Sequence, residues 1–340
     1  MKFEKRKIGV LLPTLGAVIL IFLAFYGIWQ SEPKHNEAMT FKGSDPYKTI
    51  LLVGTDEAGK NTDMLMLCSF NKENGRFHIM QIPRDTYFEI QEGSGKINRL
   101  YRSYLSKQKE KDAAESLSRT LSQAFGVEID GYVIFDGESV ARFVDLMEGV
   151  TVNVPTTFTF YDEVSKTEKQ VKEGRRTLSG REALAFVRHR KSYTEGDLGR
   201  LDAQMRFLSG VMQGLPRIKK ISTLMTIYQE ITPNLLTNLK EKDIIEIMMM
   251  YFKNRNDLSV GLMRLPGEAC YTNGHWYYVL YRAAAERMLA ENFGASVPFD
   301  TEGRFTSRKT EVIGNIYTHS DSSYRIYTPR EADEKKVLER

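Results

Sequence analysis

Cysteine, tryptophan and histidine are scarce in this sequence, with 2 Cys, 2 Trp and 5 His among 340 residues. Cys68 and Cys270 cannot build a disulfide framework, and neither lies in a CxxC or Cys/His cluster of zinc spacing. Cys68 sits in an apolar strand-like run, where a buried, inert thiol is expected. The histidines are scattered and form no H-E-x-x-H, which argues against zinc. A dominant charge sign is also missing: 48 Lys and Arg against 44 Asp and Glu leave a net charge of +4. Lys2, Lys5, Arg6 and Lys7 crowd the N-terminus, so the remainder is nearly balanced. A nucleic-acid binder carries a basic stripe on its folded domain, and none is seen here. There is no internal repeat. What remains, 41% hydrophobic and 27% charged, is the composition of a folded protein, long enough for one large domain or two ordinary ones.

Long hydrophobic runs are limited to one. Residues 8–29 form an uncharged stretch of about 22 residues, enough to cross a bilayer as a helix. The basic residues before it place the N-terminus in the cytoplasm, and Tyr26 and Trp29 suit the outer interface. A cleaved signal peptide would have a shorter apolar region and an A-x-A-like site, whereas Gln30-Ser31-Glu32-Pro33 offers none. The expected order is a cytoplasmic tail (1–7), a transmembrane anchor (8–29) and a linker (30–47). An extracytoplasmic domain (48–300) and a polar, loosely attached tail (301–340) follow.

Within the domain, strands are expected at 49–54, 63–70, 76–82, 132–135, 150–154 and 258–264. The second and third form a hairpin around 71–75. Helices are expected at 97–108, 111–125 (closed by Gly126), 138–147, 180–187, 197–213, 216–229, 239–253 and 278–292. The stretch 155–178 reads as a hairpin or lid. Such alternation argues for an α/β or α+β sheet covered by helices. Gly54-Thr-Asp-Glu-Ala-Gly59-Lys60 matches the start of a P-loop, yet Asn61 stands where Ser or Thr should follow. Asp56 and Glu57 also put negative charge where phosphate should sit, and 64–68 reads as a strand rather than a helix.

Several charged residues lie beside strand ends: Asp56, Asp63, Arg84 and Asp85, and later Arg188, Arg190, Asp197, Arg200 and the polar Gln204. An extended chain at 187–190 would aim Arg188 and Arg190 to one side. A helix over 197–204 would place Asp197, Arg200 and Gln204 on one face. Arginine forks bind phosphate oxygens bidentately, and several suit a pyrophosphate. Asp56 and Asp63 offer hard oxygen ligands for Mg²⁺, which bridges carboxylates and substrate phosphates. Spacing alone tips toward ordinary surface charges and salt bridges.

Four motifs shift that balance. Ile82-Pro83-Arg84-Asp85, Lys96-Ile97-Asn98, Val187-Arg188-His189-Arg190 and Asp197-x-Gly199-Arg200 occur in this order. Over residues 48 to about 270 the chain resembles the LytR-CpsA-Psr family of cell-wall glycopolymer ligases. The resemblance implies an extracytoplasmic α/β (α+β) domain with a central mixed sheet flanked by helices, behind one N-terminal transmembrane helix. It implies transfer of a glycan phosphate from a polyprenyl-pyrophosphate carrier to a peptidoglycan hydroxyl, aided by Mg²⁺, beside the lipid bilayer. Asp56 and Asp63 match metal-associated aspartates. Arg84, Arg188, Arg190 and Arg200 match arginines that hold the pyrophosphate, with Asp197 and Gln204 at the same site. Asp63 or Asp197 would take the proton of the attacking hydroxyl, and the choice stays open. Asp85, Lys96 and Asn98 are assigned supporting roles around them.

The match is incomplete. The 56–63 stretch is short, Thr62 and Leu65 replace commoner Ser and Met, and Ala203-Gln204-Met205 stands where Arg-Gln-Gln is frequent. An arginine often found just after the first motif is missing near Phe88. A pyrophosphate hydrolase and a non-catalytic lipid-carrier scaffold therefore stand as alternatives. His189 is expected to be structural. Met205, Phe207, Leu208 and Met212, like Met248, Met249, Met250 and Phe252, are expected in the core, with a lipid-lining groove as the rival reading.

Overall fold

A computed structural model describes residues 46–334 except 57, 91–94, 195, 215–225, 228, 232–234, 241–258 and 307–310. The expected cytoplasmic tail, anchor and most of the linker lie outside the described residues. So do the expected helix 239–253, apart from its first two residues, and most of 216–229. Among the described residues, no helix is long and apolar enough to cross a membrane.

The centre is a mixed sheet of six strands. They are β1 (Tyr47–Thr55), β2 (Thr62–Asn71), β3 (Arg76–Ile82), β4 (Gly131–Phe135), β9 (Leu236–Thr237) and β10 (Ser259–Arg264), in the order β10-β3-β2-β1-β4-β9. β1 is buried from Thr49 to Thr55, the mark of a central strand covered on both faces. Its alternate residues feed two cores. Ile50 and Leu52 pack with Phe143, Phe186 and Phe207 on one side. Leu51 and Val53 pack with Tyr101, Leu117 and Phe125 on the other.

On the first face lie α3 (Gly137–Leu146), α4 (Gly180–Arg188), α5 (Asp197–Gly214) and α8 (Pro329–Glu334), with β5 (Val150–Val154) and β8 (Gly174–Leu178) paired beside them. On the second lie α1 (Leu100–Leu105), α2 (Glu110–Phe125), α6 (Arg282–Phe293) and α7 (Glu311–Tyr317). Local chemistry sets the helix ends. Asp136 caps α3 by accepting from Ser139 N at 3.1 Å. Ser179 N donates to Glu182 Oε2 at 2.9 Å in a capping box that opens α4. α2 stops where Gly126 turns left-handed at φ 67°. The 155–178 stretch forms the hairpin β6 (Phe158–Asp162) and β7 (Thr167–Val171), then β8.

β1, β3, β4 and β10 all point their carboxyl ends to one edge of the sheet, and the opposed β2 begins there. Ligands of open α/β sheets bind outside this edge. Asp63, second residue of β2, and Arg84 and Asp136, just past the ends of β3 and β4, all lie at it.

Three expectations need correction. The helix placed at 278–292 begins only at Arg282, because β12 (His275–Leu280) pairs with β11 (Gly267–Thr272). Asn273 and Gly274 join them with φ of 52° and 76°, the left-handed pair that a two-residue hairpin turn requires. The chain is helical through Arg188, so 187–190 is not one extended run; the backbone becomes extended only at His189. Nor is the stretch after 300 loosely attached where it is described. Phe305, Ile313 and Tyr317 enter the second core, and Tyr327 and Ala332 the first. Asp333, 1% exposed, accepts from Asn153 N at 2.8 Å and pairs with Arg175 at 3.2 Å. A few isolated anchors in a polar stretch hold it, which average composition conceals.

Candidate active site

Pro83 ends β3 because it has no N–H for the ladder. A turn closed by Thr86 N donating to Pro83 O, 3.0 Å, then carries Arg84 and Asp85 over the sheet edge. Arg84 Nη1 lies 2.7 Å from Asp63 Oδ1 near the start of β2, and its Nη2 lies 3.2 Å from Asp197 Oδ1 at the start of α5. Arg200 is one helical turn further along α5. Its Nη2 is 3.0 Å from Asp197 and its Nη1 3.7 Å from Asp63. Arg190 Nη1 reaches Asp197 at 3.8 Å from the link before α5. Three guanidiniums thus surround two carboxylates. Arg188 ends α4 beside the start of α3, where a Cβ on Gly137 would stand 2.4 Å from its Nη2. Counting it, the cluster carries 4 − 2 = +2.

Burial opposes the charge of both inner arginines. For Arg84 the carboxylates of Asp197, Asp85 and Asp63 outweigh burial and raise its pKa. Arg200 is 2% exposed and has Arg84 and Arg190 as neighbours. Burial holds its pKa below the ordinary arginine range, though arginine stays cationic at neutral pH. The Nε atoms of Arg84 and Arg200 are buried and meet no protein acceptor. Buried donors of that kind suit an incoming anion.

A cavity of about 1200 Å³ opens on the cluster. Arg84, Arg188, Arg190 and Asp197 line it, together with His275, Trp276 and Tyr277 of β12. A small inner pocket of about 40 Å³ shares Arg188 with it. Asp63, Arg200 and Gln204 border that pocket together with Met64, Phe135, Val140 and Leu184.

Other expected residues take distinct places. Asp56 accepts from Lys60 N at 2.9 Å and Asn61 Nδ2 at 2.6 Å, closing its own loop before β2. Burial pushes the Asp56 carboxyl up, but these hydrogen bonds prevail and hold it below 3.8. The loop leads into a strand and not a helix, unlike a P-loop. Lys96 pairs with Asp85 at 3.0 Å. The Asn98 backbone brackets the site, with its N donating to Arg84 O at 3.2 Å and its O accepting from Thr62 Oγ1 at 3.4 Å. Gln204 is buried behind the arginines: its Nε2 donates to Val187 O at 3.4 Å and its Oε1 accepts from Gln81 at 3.2 Å. His189 accepts from Ser192 N and stacks on Phe158 with centroids 4.4 Å apart, a structural role. Gly199 makes room for Tyr193, whose Cβ would lie 2.5 Å from an added methyl. Met205, Phe207, Leu208 and Met212 are core residues. The second methionine group lies outside the described residues.

Two sets of residues escaped sequence reasoning. Arg264 donates to Gln81 at 3.1 Å and pairs with Asp202 at 2.7 Å, a buried network beneath the first turns of α5. Its signal was a glutamine inside the otherwise apolar run Ile79-Met80-Gln81-Ile82. The aromatic wall of β12 was announced by Asn273-Gly274 between two strand-like runs.

The cluster thus sits at the carboxyl ends of a mixed sheet flanked by helices, beside a large cavity. The chain belongs to the LytR_cpsA_psr family, whose match spans residues 28–293. The polyisoprenyl-teichoic acid–peptidoglycan teichoic acid transferase TagU of Bacillus licheniformis is 30% identical over 262 residues, 76% of this chain and 80% of the relative. TagU of Bacillus subtilis is also 30% identical over 262 residues, with the same shares. Among solved structures, B. subtilis TagV superposes with a TM-score of 0.59 at 23% identity, covering 72% of this chain and 95% of that one. TagT bound to LI-WTA gives 0.54 at 24%, covering 74% and 92%. These two likenesses show a shared fold.

Proposed function

We propose that this protein is a cell-envelope transferase that moves a glycan phosphate from a polyprenyl-pyrophosphate carrier to a hydroxyl of peptidoglycan. The observation that carries this reading is the gathering of Arg84, Arg190 and Arg200 around Asp63 and Asp197, with the buried Nε donors of Arg84 and Arg200 unpartnered within the protein. A pyrophosphate supplies the acceptors those donors lack. The relatives' names, which join a polyisoprenyl-linked polymer to peptidoglycan, support the substrate pair.

In this mechanism Arg84, Arg188, Arg190 and Arg200 grip the pyrophosphate oxygens. The acceptor hydroxyl forms a P–O bond to the glycan-bearing phosphorus, and the bridge to the second phosphate breaks. Polyprenyl phosphate leaves, its new charge met by the same guanidiniums. Asp63 or Asp197 receives the hydroxyl proton. Asp85 with Lys96, and the backbone of Asn98, keep the Arg84 turn in place.

Asp63, near the start of β2, and Asp56, on the loop before it, are the carboxylates that would hold a magnesium ion. Asp63 is 31% exposed and Asp56 remains ionised beside the same sheet edge. Among the described residues no group of three His, Cys, Asp or Glu makes a complete protein cage. When bound there, magnesium polarises phosphoryl oxygens. Residues 8–29 complete the proposal as a single-pass anchor that keeps the domain outside the cytoplasm, beside the lipid carrier.

The test uses the full chain, a labelled glycan on polyprenyl pyrophosphate, and peptidoglycan oligomers, with magnesium or chelator. Label should enter peptidoglycan only with magnesium. Release of free glycan phosphate regardless of acceptor would replace the transferase with a hydrolase. Retained lipid with neither product would leave a non-catalytic scaffold.

A further inference from the structure

Two large aromatic side chains stand in solvent on the β11–β12 hairpin. Trp276 is 60% exposed and Tyr271 59%. They are cross-strand partners on one face, with ring centroids 5.2 Å apart and planes tilted by 52°. Leaving an indole and a phenol this open forgoes their burial, and neighbouring exposed aromatics mark a binding surface. Trp276 also lines the large cavity, as Arg84, Arg188 and Arg190 do.

The hairpin is fixed to the anion site by backbone bonds. Tyr278 N donates to Asp85 O at 2.8 Å, and Tyr87 N donates to Tyr278 O at 2.8 Å. The segment that begins at Arg84 therefore runs as a neighbour of β12. Lys96 adds a second tie, pairing with Asp85 while its Nζ sits 5.7 Å from the Tyr277 ring centroid. The hairpin that carries the aromatic pair is thus bonded to the Arg84 segment, with Trp276 bordering the cavity and Tyr271 beside it in solvent.

We infer that Trp276 and Tyr271 form a saccharide subsite that seats the acceptor glycan strand. This inference rests on the transferase reading and names which surface receives the acceptor. The faces of N-acetylated pyranose rings carry C–H groups that pack on aromatic rings, while their hydroxyls stay in water. A long polymer cannot enter a closed pocket, so a platform at the rim suits it. The lipid-linked donor has the arginine cluster instead.

The experiment follows Trp276 fluorescence in the full chain in detergent, with Trp29→Phe leaving a single tryptophan. The probe is a β-1,4-linked N-acetylglucosamine tetrasaccharide, then uncross-linked peptidoglycan oligomers. Saturable quenching is expected. Trp276→Ala should weaken acceptor binding and raise the acceptor KM about tenfold, with Trp276→Phe restoring most of it. Retention of the lipid-linked donor and kcat at saturating acceptor should stay within about twofold. No quenching, with acceptor binding unchanged in Trp276→Ala, overturns the subsite. Weakened donor retention with unchanged acceptor binding overturns its assignment to the acceptor. Saccharide binding at Trp276 in a chain that transfers nothing would sink the transferase reading and leave the subsite standing.

Discussion

Arg200 Nη2 stands 3.0 Å from Asp197 Oδ1, three residues earlier on the same helix. Because Arg200 is 2% exposed, Asp197 both offsets its charge and fixes the direction of its fork. One turn of α5 thus aims a guanidinium at the sheet edge, where Arg84 meets it from another element.

Replacing Asp197 with alanine should lower unfolding stability by about 2 kcal/mol, short of the full cost of breaking a buried pair because Asp63 stays near Arg200. Pyrophosphate should raise the melting temperature of Asp197→Ala more than that of the native chain, since the anion takes the vacated place. Equal shifts in a thermal melt would contradict this.

Arg84→Lys keeps the charge but not the fork that joins Asp63 and Asp197. Donor KM should rise about tenfold and kcat/KM fall about a hundredfold. Steady-state kinetics within twofold of native would remove Arg84 from the anion grip.

Asp202→Ala leaves the buried Arg264 guanidinium with the neutral Gln81, and should cost about 3 kcal/mol. The pair Asp202→Leu with Arg264→Met should regain more than half of that loss. Urea unfolding of the native chain, Asp202→Leu, Arg264→Met and their combination, a double-mutant cycle, checks it alongside Asp202→Ala. A double variant no better than Asp202→Ala would show that the two charges act separately.

Burial lowers the pKa of His78 from 6.5, the neighbouring Asn292 carbonyl only partly opposing it. The unfolded chain then binds a proton first as pH drops below 6.5, so stability is lost on acidification and is unaffected at higher pH. His78→Gln should flatten the decline in urea midpoint between about pH 7 and pH 5. An unchanged slope would mean that other groups set it.

Much of the sheet was legible because its strands are short apolar runs bounded by clear turns. The 63–70 and 76–82 hairpin is β2 and β3 almost to the residue. Of the site, the i, i+3 spacing of Asp197 and Arg200 was readable, since a helix fixes it. The meeting of Arg84 with both aspartates was not, because it depends on how β2, β3 and α5 converge. The buried Gln81–Arg264–Asp202 network was hidden for the same reason: each member comes from a different element. The end of the β11–β12 hairpin was lost to a helical reading that began at Tyr278, inside β12. Its Asn273-Gly274 turn carried the information.

The most direct measurement compares label transfer from a polyprenyl-pyrophosphate glycan to peptidoglycan oligomers in the native chain and in Arg190→Ala, at saturating magnesium. Arg190 is half exposed, so the variant should fold, as circular dichroism can verify. A fall of about a hundredfold or more in kcat/KM, with the fold intact, is the expected result. Transfer at the native rate would contradict a pyrophosphate held by this arginine cluster.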